Sequence, residues 1–296
     1  MSNYSTKPNP HFGHRVLDPM PTREALDHFY AEQYYDLIEQ GKLAVDIARA
    51  NRGGEEAADQ EKWLRETVHK DVIDILLEYA SGKRAAEVGC GLGDLVGDMK
   101  QAGLEPLGID LAGDAVAAVK SKGLEALEGS LDGLFQDGAI QPESLDAIVF
   151  NNVLEFTHDP ADNLKIASKI LKPGGVLLVR GGNDFNALQM AAVDSLGLGE
   201  WWVSPPGHIN YLTFDAVEAM MHDVGVMPFH RHGEFPMELW LLLGFDYISD
   251  RTLGADCHNR RVAFERSVPT DVRRRLYKAF GQAGLGRTMV IAGRRA

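Results

Sequence analysis

Apolar positions within residues 1–80 follow the spacing of helices. Between residues 64 and 79 the apolar side chains recur every three or four positions, and the pattern stops at Gly82. This spacing predicts a helix with one buried face. The same spacing predicts an earlier helix over 22–40. Residues 1–20 are rich in proline and lack this periodicity, so they are predicted to form an arm on the surface.

From residue 84 onward, short apolar runs alternate with helical stretches. Strands are predicted over 84–88, 106–109, 124–128, 145–150, 176–179, 226–234 and 288–292. Helices are predicted over 94–101, 114–121, 160–171 and 213–224, with a last one beginning at Thr270. Alternation of this kind predicts an α/β fold with a mostly parallel seven-stranded sheet and helices on both faces.

The pattern divides the chain into two regions. Residues 1–80 are predicted to be an N-terminal arm and helical lid, and residues 81–296 a ligand-binding domain. Within that domain, residues 236–286 are predicted to be a helical insertion before the last strand. Residues 251–296 contain 11 Lys and Arg against three Asp and Glu. This charge either steers an anionic ligand or balances the acidic remainder of the molecule.

Composition and charge narrow the class of protein. Of the 296 residues, 45% are hydrophobic and 25% charged, which is typical of a globular protein. The net charge of −13 repels phosphate backbones, so we expect no nucleic-acid partner. No apolar run approaches the length of a membrane span, and no signal pattern is present, so we expect a cytoplasmic protein without a membrane partner. Cys90 and Cys257 lie far apart and form no zinc motif, so no metal is expected.

A glycine-rich loop follows the first predicted strand of the sheet. Residues 87–93 read Glu-Val-Gly-Cys-Gly-Leu-Gly and lead into a helix. Glycines let the backbone turn sharply and approach a ligand closely, and the helix N-terminus offers free N–H groups. Asp110 ends the second strand, where a carboxylate can accept both hydroxyls of a ribose. A nucleotide-type ligand is therefore predicted at the carboxyl edge of the sheet.

The charges around this loop favour a cationic ligand. A dinucleotide fingerprint requires a third glycine where this chain has Asp94, and a carboxylate there would repel a pyrophosphate. A nicotinamide oxidoreductase is disfavoured for this reason. Glu87 points to a positively charged ligand instead. S-adenosylmethionine has a ribose, an ammonium and a sulfonium but no phosphate, so it fits these charges better.

Four segments in order and register resemble the class I S-adenosylmethionine-dependent methyltransferases. They are residues 87–93, 108–111, 145–155 and 171–175. The resemblance covers about residues 84–295 and implies a Rossmann-like fold with S-adenosyl-L-methionine as cofactor. Where family members frequently have Leu-Glu-His, this chain has Leu154, Glu155 and Phe156. This chain therefore lacks the histidine that the family frequently has at that position.

The same resemblance implies the cofactor-binding residues. Gly89, Gly91 and Gly93 would line the methionine half, with Cys90 as a small filler, Glu87 beneath the ammonium, Asp110 on the ribose, Leu111 beside the adenine and the Asn151 carbonyl on the ammonium. Family members commonly have an aspartate after the third strand, and this chain has Gly-Ser-Leu-Asp there. Ser130 or Asp132 is expected to replace that contact, and Leu131 is included among the cofactor-binding candidates.

The segment 201–213 is the source of the candidate catalytic residues. It contains two tryptophans, two prolines, His208 and Tyr211 before a helix capped by Thr213. We predict that His208 is the base or positions the acceptor, and that Tyr211, Trp201 and Trp202 wall the acceptor pocket. Equally, His208 could bind backbone groups of a proline-rich turn and the tryptophans could be core. Asp184 either faces the acceptor or caps a helix.

These features predict methyl transfer from S-adenosylmethionine to a small-molecule acceptor. A hydroxyl is favoured because His208 offers a base, and a sugar or glycan intermediate and a secondary metabolite are both compatible. An N-methyltransferase or protein methyltransferase of the same fold is the alternative, and RNA is disfavoured by the acidic charge. A non-catalytic cofactor-binding module is a further alternative. The chain is expected to be a monomer or a homodimer.

Overall fold

In the computed structural model, residues 4–33, 54–205 and 207–296 are described. The strands are β1 (Ser5–Pro8), β2 (Arg15–Asp18), β3 (Arg84–Val88), β4 (Glu105–Asp110), β5 (Glu125–Glu128), β6 (Leu145–Asn151), β7 (Leu171–Gly182), β8 (Asn210–Tyr211), β9 (Val226–Gly233) and β10 (Thr288–Arg295). The helices are α1 (Arg23–His28), α2 (Gly54–Leu64), α3 (Lys70–Tyr79), α4 (Asp94–Gln101), α5 (Gly113–Ser121), α6 (Leu131–Gln136), α7 (Pro160–Ile170), α8 (Ala187–Leu196), α9 (Phe214–Asp223), α10 (Glu238–Leu242), α11 (Thr252–Ser267) and α12 (Thr270–Gln282).

The central sheet has seven strands in the order β5-β4-β3-β6-β7-β10-β9. The strands from β5 to β7 pair in parallel, and β10 is antiparallel to both of its neighbours. This confirms the predicted mostly parallel α/β sheet. The chain runs outward from β3 to β5 and then returns to β6 on the other side of β3. The carboxyl ends of β3 and β6 therefore form the switch point at which such sheets bind ligands.

Both faces of the sheet are buried. Along β6, Ile148 and Phe150 belong to one apolar cluster and Ala147 and Val149 to a second, and all four are at most 1% exposed. Successive strand residues point to opposite faces, so burial on both faces requires a continuous apolar run. This explains why β6 is predictable from its sequence.

The N-terminal segment differs from the predicted surface arm. β1 and β2 form an antiparallel hairpin, and β2 also pairs with β8. Leu17 is fully buried in an apolar cluster with Tyr211 and Trp202. Hydrogen bonding to a distant strand anchors this segment, which a local pattern does not reveal. Of the helix predicted over 22–40, α1 and a π-helical turn over Phe29–Gln33 are present, and residues 34–40 lie outside the described residues.

The helix predicted over 64–79 contains a π-helical turn, Arg65–His69, between α2 and α3. Within this turn the Thr67 hydroxyl donates to the carbonyl oxygen of Trp63 at 2.6 Å. A hydroxyl that bonds to the preceding turn competes with the regular helix pattern. Among the described residues, no helix is long and apolar enough to cross a membrane.

Ion pairs attach the basic C-terminal helices to acidic N-terminal ones. Arg273 on α12 binds both carboxylate oxygens of Asp71 on α3, at 2.5 and 2.9 Å, and both residues are buried. Arg274 binds Asp71 and Asp74 as well. The C-terminal charge therefore balances acidic groups of the same molecule at these contacts, as the second of the two sequence interpretations predicts.

Replacing Arg273 by methionine should lower the free energy of unfolding by about 3 kcal/mol, because Asp71 is left buried without its bidentate partner. Denaturant unfolding of both variants measures this effect. Arg275→Ala is the matched control, since its pair with Asp271 on the same helix is about three-quarters exposed. That control should change the free energy by less than about 0.5 kcal/mol. Equal losses in the two variants would contradict the assignment.

Candidate active site

The loop between β3 and α4 is built from glycines in the left-handed backbone region. Gly89, Gly91 and Gly93 have φ angles of +70°, +53° and +80°. A Cβ added to Gly89 would lie 2.5 Å from Cγ2 of Val153, and one added to Gly93 would lie 2.7 Å from Cγ2 of Val119. No larger side chain fits at either position without displacing its neighbour. The loop therefore presents bare backbone at the carboxyl end of β3.

Asp110 lies beside this loop, at the end of β4. Its Oδ2 accepts the Gly91 N–H at 2.8 Å and its Oδ1 accepts the Ala112 N–H at 3.0 Å. These two bonds hold the carboxylate in one orientation between the glycine loop and α5. The structure thus brings together the two features that the sequence assigns to the methionine and ribose parts of the ligand.

Glu87 is the penultimate residue of β3, and among the described residues its carboxylate has no cationic partner. It is 3% exposed, and its Oε1 accepts a hydrogen bond from Asn151 Nδ2 at 3.3 Å. Its Oε2 has no hydrogen-bond partner within residues 4–33, 54–205 and 207–296. Burial raises the pKa of Glu87 to about 8, although the Asn151 bond acts in the opposite direction. An ammonium group would restore the charge balance that burial removes. The orphaned oxygen and the glycine loop together fit the amino-acid part of S-adenosylmethionine.

The remaining cofactor candidates have varied surroundings. The Cys90 side chain packs in a small apolar cluster with Val96 and Val119, and burial raises its thiol pKa. Leu111 is half-buried directly after Asp110. Ser130 caps α6 by accepting the Gly133 N–H. Leu131 is buried in the main core, and Asp132 pairs with Arg23 at 2.5 Å. The turn formed by 129–132 adjoins Asp110, whose carbonyl accepts the Gly129 N–H.

His208 is held on several sides. Its ring stacks on that of Tyr211, with centroids 4.5 Å apart. His208 Nε2 lies 3.1 Å from the carbonyl oxygen of Asn210 and 3.3 Å from Oδ2 of Asp184. The Tyr211 hydroxyl donates to the His208 carbonyl at 2.9 Å. His208 thus binds a backbone group, as one interpretation of its turn predicts, and a carboxylate as well. Trp202 is core, at 3% exposed.

Asp184 is not the helix cap that the sequence allows. Asn186 caps α8 and completes a capping box with Gln189. Asp184 is instead buried against His208, and Arg287 Nη1 lies 3.7 Å from its other oxygen. Burial acts to lower the pKa of His208, but Asp184 and the nearby Glu155 outweigh it and raise that pKa.

Sequence reasoning missed the roles of two further buried carboxylates, one near His208 and one near Arg287. Glu155 is 3% exposed; it accepts a long 3.4 Å bond from the Gly182 N–H, and burial raises its pKa. Glu238 on α10 is fully buried, and Arg287 Nη1 lies 3.8 Å from its Oε1. The places of Glu155 near His208 and of Glu238 near Arg287 depend on contacts between distant segments. Only the Glu155 position, within the family's Leu-Glu pair, carries a sequence signal.

The segment after β6 connects the two halves of the site. Val153 packs against Gly89 of the glycine loop, and the Phe156 ring lies 5.5 Å from the His208 ring. The Ile209 N–H donates to the Glu155 carbonyl at 3.0 Å. The candidate cofactor loop and the candidate base therefore lie on opposite sides of one short connection at the carboxyl edge of the sheet.

Comparison with known proteins identifies the family. The sequence model described as a methyltransferase domain matches residues 61–227, more than half of the chain. The structure resembles an S-adenosylmethionine-dependent methyltransferase from Archaeoglobus fulgidus, with a TM-score of 0.54, 15% identity, and coverage of 89% of this chain and 100% of that one. It also resembles magnesium protoporphyrin IX methyltransferase from Synechocystis with bound S-adenosylhomocysteine, with a TM-score of 0.53, 11% identity, and coverage of 92% and 99%.

Curated relatives match a shorter part of the chain. A ubiquinone biosynthesis O-methyltransferase from Xanthomonas oryzae pv. oryzae is 32% identical over 144 residues, which are 47% of this chain and 60% of the relative. Another, from Albidiferax ferrireducens, is 34% identical over 101 residues, 32% of this chain and 39% of the relative. The chain belongs to the methyltransferase domain family. Its fold is the Rossmann-like fold of the S-adenosylmethionine-dependent methyltransferases.

The charge of Glu87 predicts the pH dependence of cofactor binding. The pKa of Glu87 without ligand is about 8, and an ammonium prefers the ionised carboxylate. The affinity for S-adenosylhomocysteine should therefore increase as the pH rises from about 6 to about 8, by up to about tenfold per pH unit. Calorimetry at a series of pH values measures this slope. Glu87→Gln should flatten it, whereas Glu125→Gln at the exposed end of β5 should not. A flat profile for the unchanged protein would contradict the role of Glu87.

Proposed function

We propose that this protein methylates a hydroxyl group of a small-molecule acceptor and that His208 is the general base. When bound, S-adenosylmethionine supplies a methyl group activated by its sulfonium. The contact between His208 Nε2 and the buried Asp184 is the single observation that carries the proposal. A hydroxyl has to lose its proton during methyl transfer, whereas a neutral amine does not need a base to attack. An oriented, carboxylate-supported histidine therefore favours oxygen over nitrogen.

The hydrogen bonds of His208 assign a role to each ring nitrogen. Nε2 faces two acceptors, the Asn210 carbonyl and the Asp184 carboxylate, so it carries the hydrogen. The neutral ring then accepts a proton at Nδ1. Asp184 stabilises the imidazolium that forms, and Glu155 adds to this effect. The arrangement matches the general logic of a base held in one tautomer by a buried carboxylate.

Tyr211 supports His208 and does not act as an acid or a base. Its hydroxyl is committed to the His208 carbonyl, and burial raises its pKa further. The stacked ring fixes the plane of the imidazole. We therefore propose that Tyr211, whose side chain is fully buried, positions the base from the core.

The names of the relatives support the oxygen acceptor. Both are called ubiquinone biosynthesis O-methyltransferases. We extend the proposal to a small hydroxylated acceptor, either a sugar or glycan intermediate or a secondary metabolite. An N-methyltransferase or protein methyltransferase remains the alternative, and it would not require His208.

His208→Ala should reduce turnover by about 10²- to 10⁴-fold and leave cofactor binding unchanged. Turnover is measured as the release of S-adenosylhomocysteine with a panel of catechols and hexoses as acceptors. Cofactor binding is measured separately, by calorimetry with S-adenosylhomocysteine. His158→Ala is the matched control, because His158 is exposed in the neighbouring segment. Unchanged turnover in His208→Ala would overturn the base assignment.

The raised pKa of His208 predicts how activity depends on pH. The base is active when neutral, so kcat/KM should increase with pH, with a midpoint above the ordinary histidine value. Asp184→Asn removes the largest stabilisation of the protonated ring and should move the midpoint to lower pH while reducing the rate. The charges of Glu155 and Arg287 remain in that variant and act in opposite directions. A midpoint that does not move would contradict the Asp184 contact.

A further inference from the structure

Arg180 is a buried arginine that connects the candidate cofactor site to the rest of the fold. It lies on β7 directly beside Asn151 in the strand register. Its Nε and Nη2 donate to the two oxygens of Glu234 at 2.7 and 2.8 Å. Its Nη1 donates to Oδ1 of Asn151 at 3.0 Å. The guanidinium thus binds a carboxylate on one side and an amide on the other.

This contact determines which end of the Asn151 amide faces Glu87. A guanidinium offers only donors, so Asn151 has to present its carbonyl oxygen to Arg180. The NH2 end then points to Glu87 and donates to Oε1 at 3.3 Å. The reversed amide would place NH2 against the guanidinium and the carbonyl against the carboxylate, with repulsion at both ends.

The fixed amide leaves Glu87 with one occupied and one free oxygen. Oε1 is bound by Asn151, and the buried Oε2 has no partner in the part of the chain that the structure describes. We propose that Arg180, held by Glu234, is a positioning residue for the cofactor: through Asn151 it orients Glu87 so that Oε2 receives the ammonium of S-adenosylmethionine. The proposal depends on Glu87 as the ammonium site and is independent of the acceptor and of His208.

Other buried charges hold Glu234 in place. Arg261 on α11 donates to Glu234 Oε2 at 3.3 Å and to Glu265 at 2.8 Å. The indole N–H of Trp63 on α2 donates to Glu265 at 2.6 Å. Burial alone would raise the pKa of Glu234, but the two arginines lower it to about 2, so this carboxylate stays ionised. The alternating charges continue from the cofactor loop to helices outside the sheet.

The test compares two ligands that differ in the amino-acid part. S-adenosylhomocysteine carries the ammonium, and 5′-methylthioadenosine lacks it. The double variant Arg180→Met with Glu234→Gln removes both charges together and leaves Arg261 paired with Glu265. We expect S-adenosylhomocysteine to bind about tenfold more weakly, the size of one lost charge-assisted hydrogen bond, while the affinity for 5′-methylthioadenosine stays within about twofold.

A matched control removes a buried ion pair outside this chain of contacts. Arg273→Met with Asp71→Asn loses a similar bidentate pair between α12 and α3, and we expect neither ligand affinity to change. Asn151→Leu should reproduce the selective loss, and combining it with the Arg180 and Glu234 changes should add no further loss. Additive losses would overturn the route through Asn151.

The outcomes separate the proposal from its premise. If the Arg180 and Glu234 variant loses affinity equally for both ligands, the role of Arg180 is structural only and the proposal is overturned. The proposal is also overturned if neither affinity changes. Glu87→Gln tests the premise. It should lower the affinity for S-adenosylhomocysteine and leave the affinity for 5′-methylthioadenosine unchanged. If Glu87→Gln lowers the affinity for both ligands equally, or for neither, the ammonium binds elsewhere. None of these measurements depends on turnover, so a failed His208 assignment leaves them unaffected.

Discussion

A carboxylate buried without a cation is the constraint on which the site depends. Glu87 lies near the carboxyl end of a central strand, and one of its oxygens has no partner among the described residues. The glycines of the loop beyond it present bare backbone to a ligand. Such a group is unfavourable in the free protein, and a ligand with a positive charge and a slender chain offsets this cost. The unpaired carboxylate of Glu87 therefore gives the site its preference for a cationic ligand.

Local sequence patterns were sufficient for the sheet and the cofactor loop. β3 and α4 occupy the residues that the apolar spacing and the glycines predict, because a buried parallel strand and a helix that follows a glycine turn are each specified within a few neighbouring residues. The predicted place of Asp110 beside the loop is confirmed for the same reason. The site assignments beyond these positions stay predictions.

Contacts between distant segments could not be predicted in this way. The pairing of β2 with β8 converts an apparent arm into a hairpin, and the Asp184 contact with His208 joins two loops. Arg180 illustrates the difficulty best. A charge directly after the apolar run of β7 was visible in the sequence, but its two partners lie on β6 and after β9. The spacing of apolar residues and the preference of residues for helix or strand describe one element at a time. The roles of these side chains arise from contacts between elements.

The buried hydrogen-bonded series Arg180, Glu234, Arg261, Glu265 and Trp63 limits how this enzyme can be recombined with its relatives. Helices beyond the sheet are the natural parts to exchange when a different acceptor is wanted. Here Trp63, Arg261 and Glu265 come from two separate helices yet share hydrogen bonds that end at Glu234. A graft that replaced only one of the two helices would leave ionised groups buried without their partners. The exchangeable unit in this protein is therefore a set of three side chains and not a continuous stretch of sequence.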